Sequence, residues 1–332
     1  MDSMHAFELR RPASVAEAAA LLAGEPQARL LAGGTGLLPN LRRGIERPPV
    51  LIDLGGVADF DAIESARDGT WLGAGVTLSR LTTDEVICAR YPAIAQAAAS
   101  IAAPGHRSVA TVGGNLCLDT RCVFYNQSEW WRAANDYCLK RGGDTCHVAP
   151  QGTRCHAAFS GDLAPALLVL DAEAELVSTR GARRIALADL YRDDGADHLT
   201  IARDELLARV LVPARADQRR SAYRKACARA AVDFPLAGVA CAMTVGDDGG
   251  LGVLRLALTG TDSRPFVLTG TEVLAGRRVD AELLATVGKL VQKQVGPMRT
   301  TVTQANYRRQ VAAVMARRLV QSLAEAAGLA AA

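Results

Sequence analysis

An α+β architecture is predicted for this chain of 332 residues on three observations. The opening segment alternates short helical and strand patterns. The last third reads as alternating strands followed by two amphipathic helices. Glycine-rich turns close two of the early apolar segments. The length suffices for two domains and a sizeable core.

The elements follow in order. Ser14 to Ala23 reads as a helix, with Ser14 as N-cap and Glu17 three positions on as its capping-box partner. A strand at Ala28 to Leu31 ends in Ala32-Gly33-Gly34-Thr35-Gly36, and Leu37 to Arg43 forms a helical turn that Pro48-Pro49 stops. Val50 to Leu54 is a short buried strand. Residues 1–55 are thus a first small α/β unit. A second unit, 56–213, starts with a strand at Trp71 to Val76 and helices at Leu78 to Ile87 and Ala93 to Ala103. It passes through Thr111-Val112-Gly113-Gly114-Asn115 and a cysteine-rich segment at about 117–158, then resumes an apolar pattern at Asp162 to Leu170. The polar stretch Ala214 to Arg220 reads as a linker. The third unit, 218–330, carries strands at Gly238 to Val245 and Leu251 to Leu258, then helices at Asp280 to Gln294 and Thr303 to Ala326.

A net charge of +3, with no basic run interleaved with aromatics, argues against nucleic-acid binding, and the arginines read as a solvated surface. Met1 to Arg11 lacks the apolar core of a signal peptide, and apolar runs such as Ala164 to Leu170 are too short to cross a bilayer. A cytoplasmic protein is expected. The sequon Asn126-Gln127-Ser128 is then a chance match.

Two loops have the character of a phosphate cradle. In Ala32 to Gly36, glycines let backbone N–H groups approach an anion, Thr35 adds a hydroxyl, and a helical turn follows. Thr111 to Asn115 repeats the pattern. A Rossmann site fails on spacing: Pro39 stands where the third glycine belongs, and no acidic residue sits at a suitable strand end beyond. Cysteine usage is the other anomaly, since five of the eight cysteines fall between Cys117 and Cys155. In a reducing compartment such a cluster points to metal or redox chemistry. The remaining three, Cys88, Cys227 and Cys241, read as small core residues. The spacing Cys117-x4-Cys122-x15-Cys138-x7-Cys146-x8-Cys155 is too long for zinc knuckles and misses the compact ferredoxin run.

Three segments taken in order carry a resemblance: Leu31 to Pro39, Ala110 to Asn115, and Ser160-Gly161-Asp162-Leu163-Ala164-Pro165-Ala166-Leu167. With Tyr223-Arg224-Lys225 and Asp233-Phe234-Pro235, the chain resembles FAD-binding subunits of the xanthine oxidase/molybdenum hydroxylase family over essentially its whole length. The resemblance implies a two-subdomain FAD-binding fold of the vanillyl-alcohol-oxidase kind plus a C-terminal α+β domain with an antiparallel sheet. It implies FAD contacts at Leu30, Leu31, Ala32, Gly33, Gly34, Thr35, Gly36 and Leu37, and at Ile101, Thr111, Val112, Gly113, Gly114, Asn115, Asp162, Leu207 and Lys225. Backbone donors of both glycine loops would hold the pyrophosphate. Asp162 would reach flavin or its ribityl chain, and Lys225 would approach the isoalloxazine ring and favour anionic reduced flavin. Gly36 departs from the acidic or hydroxyl residue common there, and Ile101 from a larger aromatic.

In most of the family the second glycine loop runs almost directly into the Asp162 motif; here Cys-, Trp- and charge-rich text intervenes. Five cysteines compete for four ligand positions. Cys117, two residues after Asn115, belongs to the flavin fold, which leaves Cys122, Cys138, Cys146 and Cys155 as candidate metal ligands. His147 and His156 read as loop histidines. Phe124, Tyr125, Trp130 and Trp131 are expected to cover the metal group. The segment Asn115 to Arg132 is similar to one branch of the family, in which four insert cysteines bind a [4Fe–4S] cluster and the chemistry runs reductively. That branch implies electrons entering from ferredoxin and passing by way of FAD to [2Fe–2S] clusters and a molybdopterin cofactor on partner subunits. The assembly it implies is a dimer of heterotrimers. An ordinary flavin subunit with a structural zinc in the insert, or a scaffold without cofactor, are the competing readings. No nucleophile–base pair or histidine in a catalytic setting is apparent, so the chain reads as a relay with no catalytic residue of its own.

Overall fold

In the computed structural model, which describes residues 4–246, 248–296, 303–304 and 306–328, Ser14 caps the helix Val15–Gly24 as its sequence demands. The Ser14 hydroxyl accepts the Glu17 N–H at 3.2 Å, and the Glu17 carboxylate takes the N–H of Ala13 at 2.7 Å. The reciprocal bond therefore lands one residue earlier than a standard capping box. Strands Glu8–Arg10, Val50–Asp53 and Arg29–Leu31 pair in parallel with Val50–Asp53 in the middle, which is why Val50, Leu51 and Ile52 are all buried. The helix Leu37–Arg42 follows the first glycine loop.

The second sheet is antiparallel, in the order Ile63–Ala66, Gly69–Gly73, Leu206–Pro213, Glu173–Ser178, Gly181–Ala186. The strand expected at Trp71 to Val76 ends at Gly73. There the chain turns with Gly75 pressed against Phe60, so that a Cβ would meet the Phe60 carbonyl oxygen at 2.8 Å. The helix expected from Leu78 to Ile87 is two helices, Leu78–Leu81 and Glu85–Arg90, because Asp84 restarts it by accepting the Ile87 N–H at 3.1 Å. The next helix, Pro92–Ser100, stops before Ala103. Ala102 there takes a left-handed φ of 46°, and the Arg107 guanidinium donates to the carbonyls of Ile101 (2.8 Å) and Ala102 (3.3 Å). Every residue of the helix Leu163–Leu168 is buried.

The linker is a single 3₁₀ segment, Ala214–Gln218. Beyond it, Arg220–Ala226, Ala237–Val245, Leu251–Thr259 and Phe266–Val267 form an antiparallel sheet. Helices Ala281–Gln294 and Tyr307–Ala326 pack with it around a core including Val239, Leu256, Val287 and Leu319. The sheet also sends Tyr223, Ala240, Ala242 and Ala257 into the core shared by the first two units. The last helix begins at Tyr307 rather than Thr303. Residues 301–302, 305 and 329–330, part of the expected third unit, lie outside the described residues. Among the described residues, no helix is long and apolar enough to cross a membrane.

The cysteine segment leaves the fold and returns at one point. Arg121 and Ala158 exchange hydrogen bonds, N to O, at 2.8 and 2.9 Å, which closes a neck around residues 122–157. Within it lie the helix Glu129–Ala134 and a 3₁₀ turn, Leu139–Arg141. Arg132, 1% exposed, fastens the segment to the first unit: its guanidinium pairs with Glu129 and donates to Gln127 O (2.5 Å) and Gly44 O (3.4 Å).

Candidate functional site

The two glycine loops meet because Gly33 lacks a side chain. A Cβ there would collide with the Val109 carbonyl and Ala110, so only glycine lets the first loop lie on the approach to the second. Their donors differ in what they do. In the second loop, Val112 N–H donates to Val76 O (2.9 Å), Gly113 N–H to Ala74 O (2.8 Å), and Gly114 N–H to the Thr111 hydroxyl (3.1 Å). The Asn115 N–H donates to Thr111 O at 2.9 Å, and its side-chain oxygen accepts the Leu163 N–H at 3.0 Å. These groups stitch the loop to residues 74–76 and to the Asp162 motif. Gly113 is glycine for the same reason, since a Cβ would stand 2.9 Å from Ala74 Cβ.

The first loop is the open one. Among the described residues, no acceptor meets the N–H groups of Gly33, Gly34, Thr35 or Gly36. Gly34 adopts φ 71°, the left-handed conformation found in backbone anion nests. Gly36 is the N-cap of Leu37–Arg42 and has no side chain to satisfy that helix end. A pyrophosphate fits this donor set. Leu30 and Leu31 lead in from the strand, both half-buried.

Asp162, 3% exposed, has both carboxylate oxygens engaged. Tyr223 Oη donates to Oδ1 at 2.6 Å and Lys225 Nζ to Oδ2 at 3.3 Å; Lys225 also donates to Ser100 O at 3.1 Å. Burial pushes the Asp162 carboxyl up, while Lys225 and the Tyr223 and Lys225 hydrogen bonds pull it back. Asp162 thus holds Lys225 at the C-terminal end of the helix Pro92–Ser100. Leu207 is buried in the central strand, next to Ala208, whose carbonyl accepts the Ala74 N–H at 2.9 Å below the second loop.

Cys138, Cys146 and Cys155 are buried and Cys122 half-buried, all as free thiols. They are electrostatic neighbours. Burial raises the Cys122 thiol, the Phe124 and Tyr125 N–H groups oppose it, and the Cys138 and Cys146 sulfurs add to it. Burial raises Cys155 to about 11; the Ala157 N–H (3.4 Å from Sγ) and Lys140 oppose it, and Cys146 and Cys122 add to it. Cys117 lies elsewhere: burial pushes it to about 12, and the group that senses its charge is Tyr191, in the main core. Among the described residues, no three His, Cys, Asp or Glu side chains converge closely enough to hold a single metal ion.

Of the expected covering aromatics, Tyr125 is buried, and Phe124 packs against His147 (5.1 Å) and Trp131 (6.3 Å). Trp130 does not join them; on the outer face of its helix it is 73% exposed. His147 bonds the Tyr137 carbonyl through Nε2, as a loop histidine does.

Residues 5–215 match the FAD-binding domain in molybdopterin dehydrogenase, and residues 206–323 match the CO dehydrogenase flavoprotein C-terminal domain. The chain belongs to this flavoprotein family. It is an FAD-binding oxidoreductase subunit of the molybdenum hydroxylase type. The aldehyde oxidoreductase FAD-binding subunit of Escherichia coli (strain K12) is 33% identical over 273 residues, covering 79% of this chain and 84% of that one. The carbon monoxide dehydrogenase medium chain of Afipia carboxidovorans is 29% identical, covering 95% and 96%. The solved structure of reconstituted CO dehydrogenase from Oligotropha carboxidovorans superposes with a TM-score of 0.80 at 26% identity, over 97% of this chain and 99% of that one. Within this flavoprotein frame, sequence reasoning missed the Tyr223–Asp162 bond, the buried Arg132 and the Arg121 guanidinium over the Phe234 ring (4.3 Å). The Tyr223-Arg224-Lys225 alternation was the available signal for the first, since it puts Tyr223 and Lys225 on one face of a strand.

Proposed function

We propose that this chain is the FAD- and [4Fe–4S]-bearing electron-transfer subunit of a molybdenum-containing 4-hydroxybenzoyl-CoA reductase. It relays electrons from reduced ferredoxin through the cluster and FAD toward [2Fe–2S] clusters and a molybdopterin cofactor on partner subunits. The observation that carries the reading is the set of four neighbouring thiols on an insert whose neck grows from the second glycine loop. Four thiolates suit a multi-iron cluster with one thiolate per iron, and their spacing is too long for the knuckles of a zinc ribbon. Cys122, Cys138, Cys146 and Cys155 would hold it, with N–H groups of Phe124, Tyr125 and Ala157 on their sulfurs. Bound FAD supplies the exchange between one- and two-electron carriers. The first loop's open N–H groups would hold its pyrophosphate, and Lys225, kept in place by Asp162, would supply a positive charge toward its ring system.

The partners follow from the same reading: a large molybdenum subunit and a small [2Fe–2S] subunit, assembled as a dimer of heterotrimers in the cytoplasm. A second reading draws support from the names of the similar chains, which are dehydrogenases and an oxidoreductase. In it the complex oxidises its substrate and the insert holds a structural metal. Iron, sulfide and zinc analysis of the full chain separates the two: about four iron and four sulfide per chain are expected. One zinc without sulfide selects the second reading. Purified with its partners, the complex is expected to dehydroxylate 4-hydroxybenzoyl-CoA with reduced ferredoxin; turnover only in the oxidative direction would sink the reductase assignment.

A further inference from the structure

Lys140 is a buried cation whose role the flavin fold does not explain. It stands in a tight turn between two of the four thiols: Arg141 N–H and Gly143 N–H both return to Cys138 O (2.7 and 3.1 Å), and Leu139 N–H bonds Thr145 O (3.0 Å) just before Cys146. Its side chain is 7% exposed. Nζ donates to Asp119 Oδ1 (2.6 Å), Thr120 Oγ1 (2.6 Å) and Thr120 O (3.1 Å), and it lies 4.3 Å from the centre of the Tyr125 ring. Asp119 and Thr120 belong to the leg that joins the insert to the flavin cradle. Leu118, next along that leg, gives its carbonyl to His198 (3.0 Å), and its side chain stands 3.5 Å from where a Gly36 Cβ would be. The ammonium is therefore fastened on the flavin side of the insert, and its charge reaches Cys155.

A desolvated lysine needs its charge offset, and among the described residues Asp119 is the carboxylate bonded to it. We propose that Lys140 is a positioning residue for electron entry. It clamps the thiol-bearing turn to the leg leading to the flavin loop and, together with Asp119, sets how readily a cluster on the four cysteines accepts an electron. This inference rests on the cluster reading of the insert. The physical argument is Coulomb's: a gained electron adds negative charge, which a fixed buried cation stabilises and a fixed carboxylate opposes.

The test uses the complex purified with its partner subunits, with iron, sulfide and FAD counted first and the insert cluster then titrated by EPR. Lys140→Met should make the cluster harder to reduce, changing its reduced-to-oxidised ratio at fixed potential roughly tenfold. Asp119→Asn should shift the ratio by a similar factor in the opposite direction, and Lys140→Arg should restore the wild-type value. A purely structural clamp would not give opposite signs. Unmoved or same-sign shifts in variants that keep their iron overturn this inference alone, while wild-type protein without insert iron overturns the cluster reading itself. If Lys140→Met loses its iron, Asp119→Asn and Lys140→Arg still decide the matter.

Discussion

On the proposed reading, the flavin cradle and the cysteine insert would hold their groups by opposite means. In the cradle, function resides in backbone N–H groups, and the informative residues are those with nothing beyond Cα. In the insert it would reside in sulfur atoms, held by turns, a neck of two hydrogen bonds and a buried Arg132. The cradle itself divides again. Two loops that read alike in sequence have separate tasks: the first keeps its donors open and the second spends them on the fold. A glycine-rich motif is thus evidence of close approach, and only the direction of the N–H groups tells whether the neighbour is a ligand or the protein itself.

Substitutions in the two regions test that contrast. The largest effect is expected from Gly33→Val, which drives side-chain atoms into the Val109 carbonyl and separates the loops. Stability should fall by about 4 kcal/mol or more, with FAD lost, as read by thermal unfolding and flavin absorbance; a folded, flavin-replete variant would refute the contact. Cys138→Ser should abolish the insert's cluster signal while flavin content stays near wild type, and Cys117→Ser should leave both nearly intact. If Cys117→Ser removes the cluster and Cys155→Ser does not, the ligand set is wrong.

Gly113→Ala pits a methyl group against Ala74 and should cost about 1–3 kcal/mol by overpacking. The folded fraction should still bind FAD with near wild-type affinity in a flavin titration, because the second loop's donors face the protein. Weakened affinity without lost stability would restore that loop to the phosphate site.

Asp262 lies where the insert's return leg is seated. Its carbonyl accepts the Phe159 N–H (2.9 Å), and its neighbour Ser263 donates to Cys155 O (3.2 Å). Burial holds its carboxyl up at about 6, against an ordinary 3.8, and the Asp193 charge adds to the rise. The folded chain therefore binds this proton more tightly than the unfolded chain. The resulting stability is complete below pH ~4 and lost as pH rises through ~6. Asp262→Asn should raise the melting temperature relative to wild type above pH 6 and lose that advantage below pH 4, and a melting series across pH with the reverse ordering would contradict this. The smallest effect belongs to Gly36→Ser. A Cβ there makes only an ordinary 3.5 Å contact with Leu118, so stability should change by no more than about 0.5 kcal/mol.

Local chemistry was legible in the sequence wherever a few adjacent residues decide it. The Ser14 cap, the strand Val50–Asp53, the two C-terminal helices and the open first loop all follow from short patterns. The separation of Cys117 from the other four thiols was also readable from its place two residues after Asn115. What stayed hidden depends on partners far along the chain. Asp162 is bonded to Tyr223 and Lys225, some sixty residues on, which no local pattern announces. The bonds from the second loop's Val112 and Gly113 N–H groups to residues 76 and 74 are equally invisible in the local text. Trp130 was expected among the covering aromatics because it adjoins Trp131, but neighbours on a helix point about 100° apart, and this one faces water.

The neck between Arg121 and Ala158 has a consequence for the history of such a protein. Because the two ends of the excursion emerge side by side, residues 122–157 can be gained or deleted as a block without shifting the register of any sheet strand. Closing a long loop costs only slightly more entropy than closing a short one. A hairpin at this spot can therefore accept the whole segment as one block, which Arg132 and Lys140 then fasten to the rest of the chain. Excising the cassette and rejoining Arg121 to Ala158 through a short turn would return the scaffold to its simpler form.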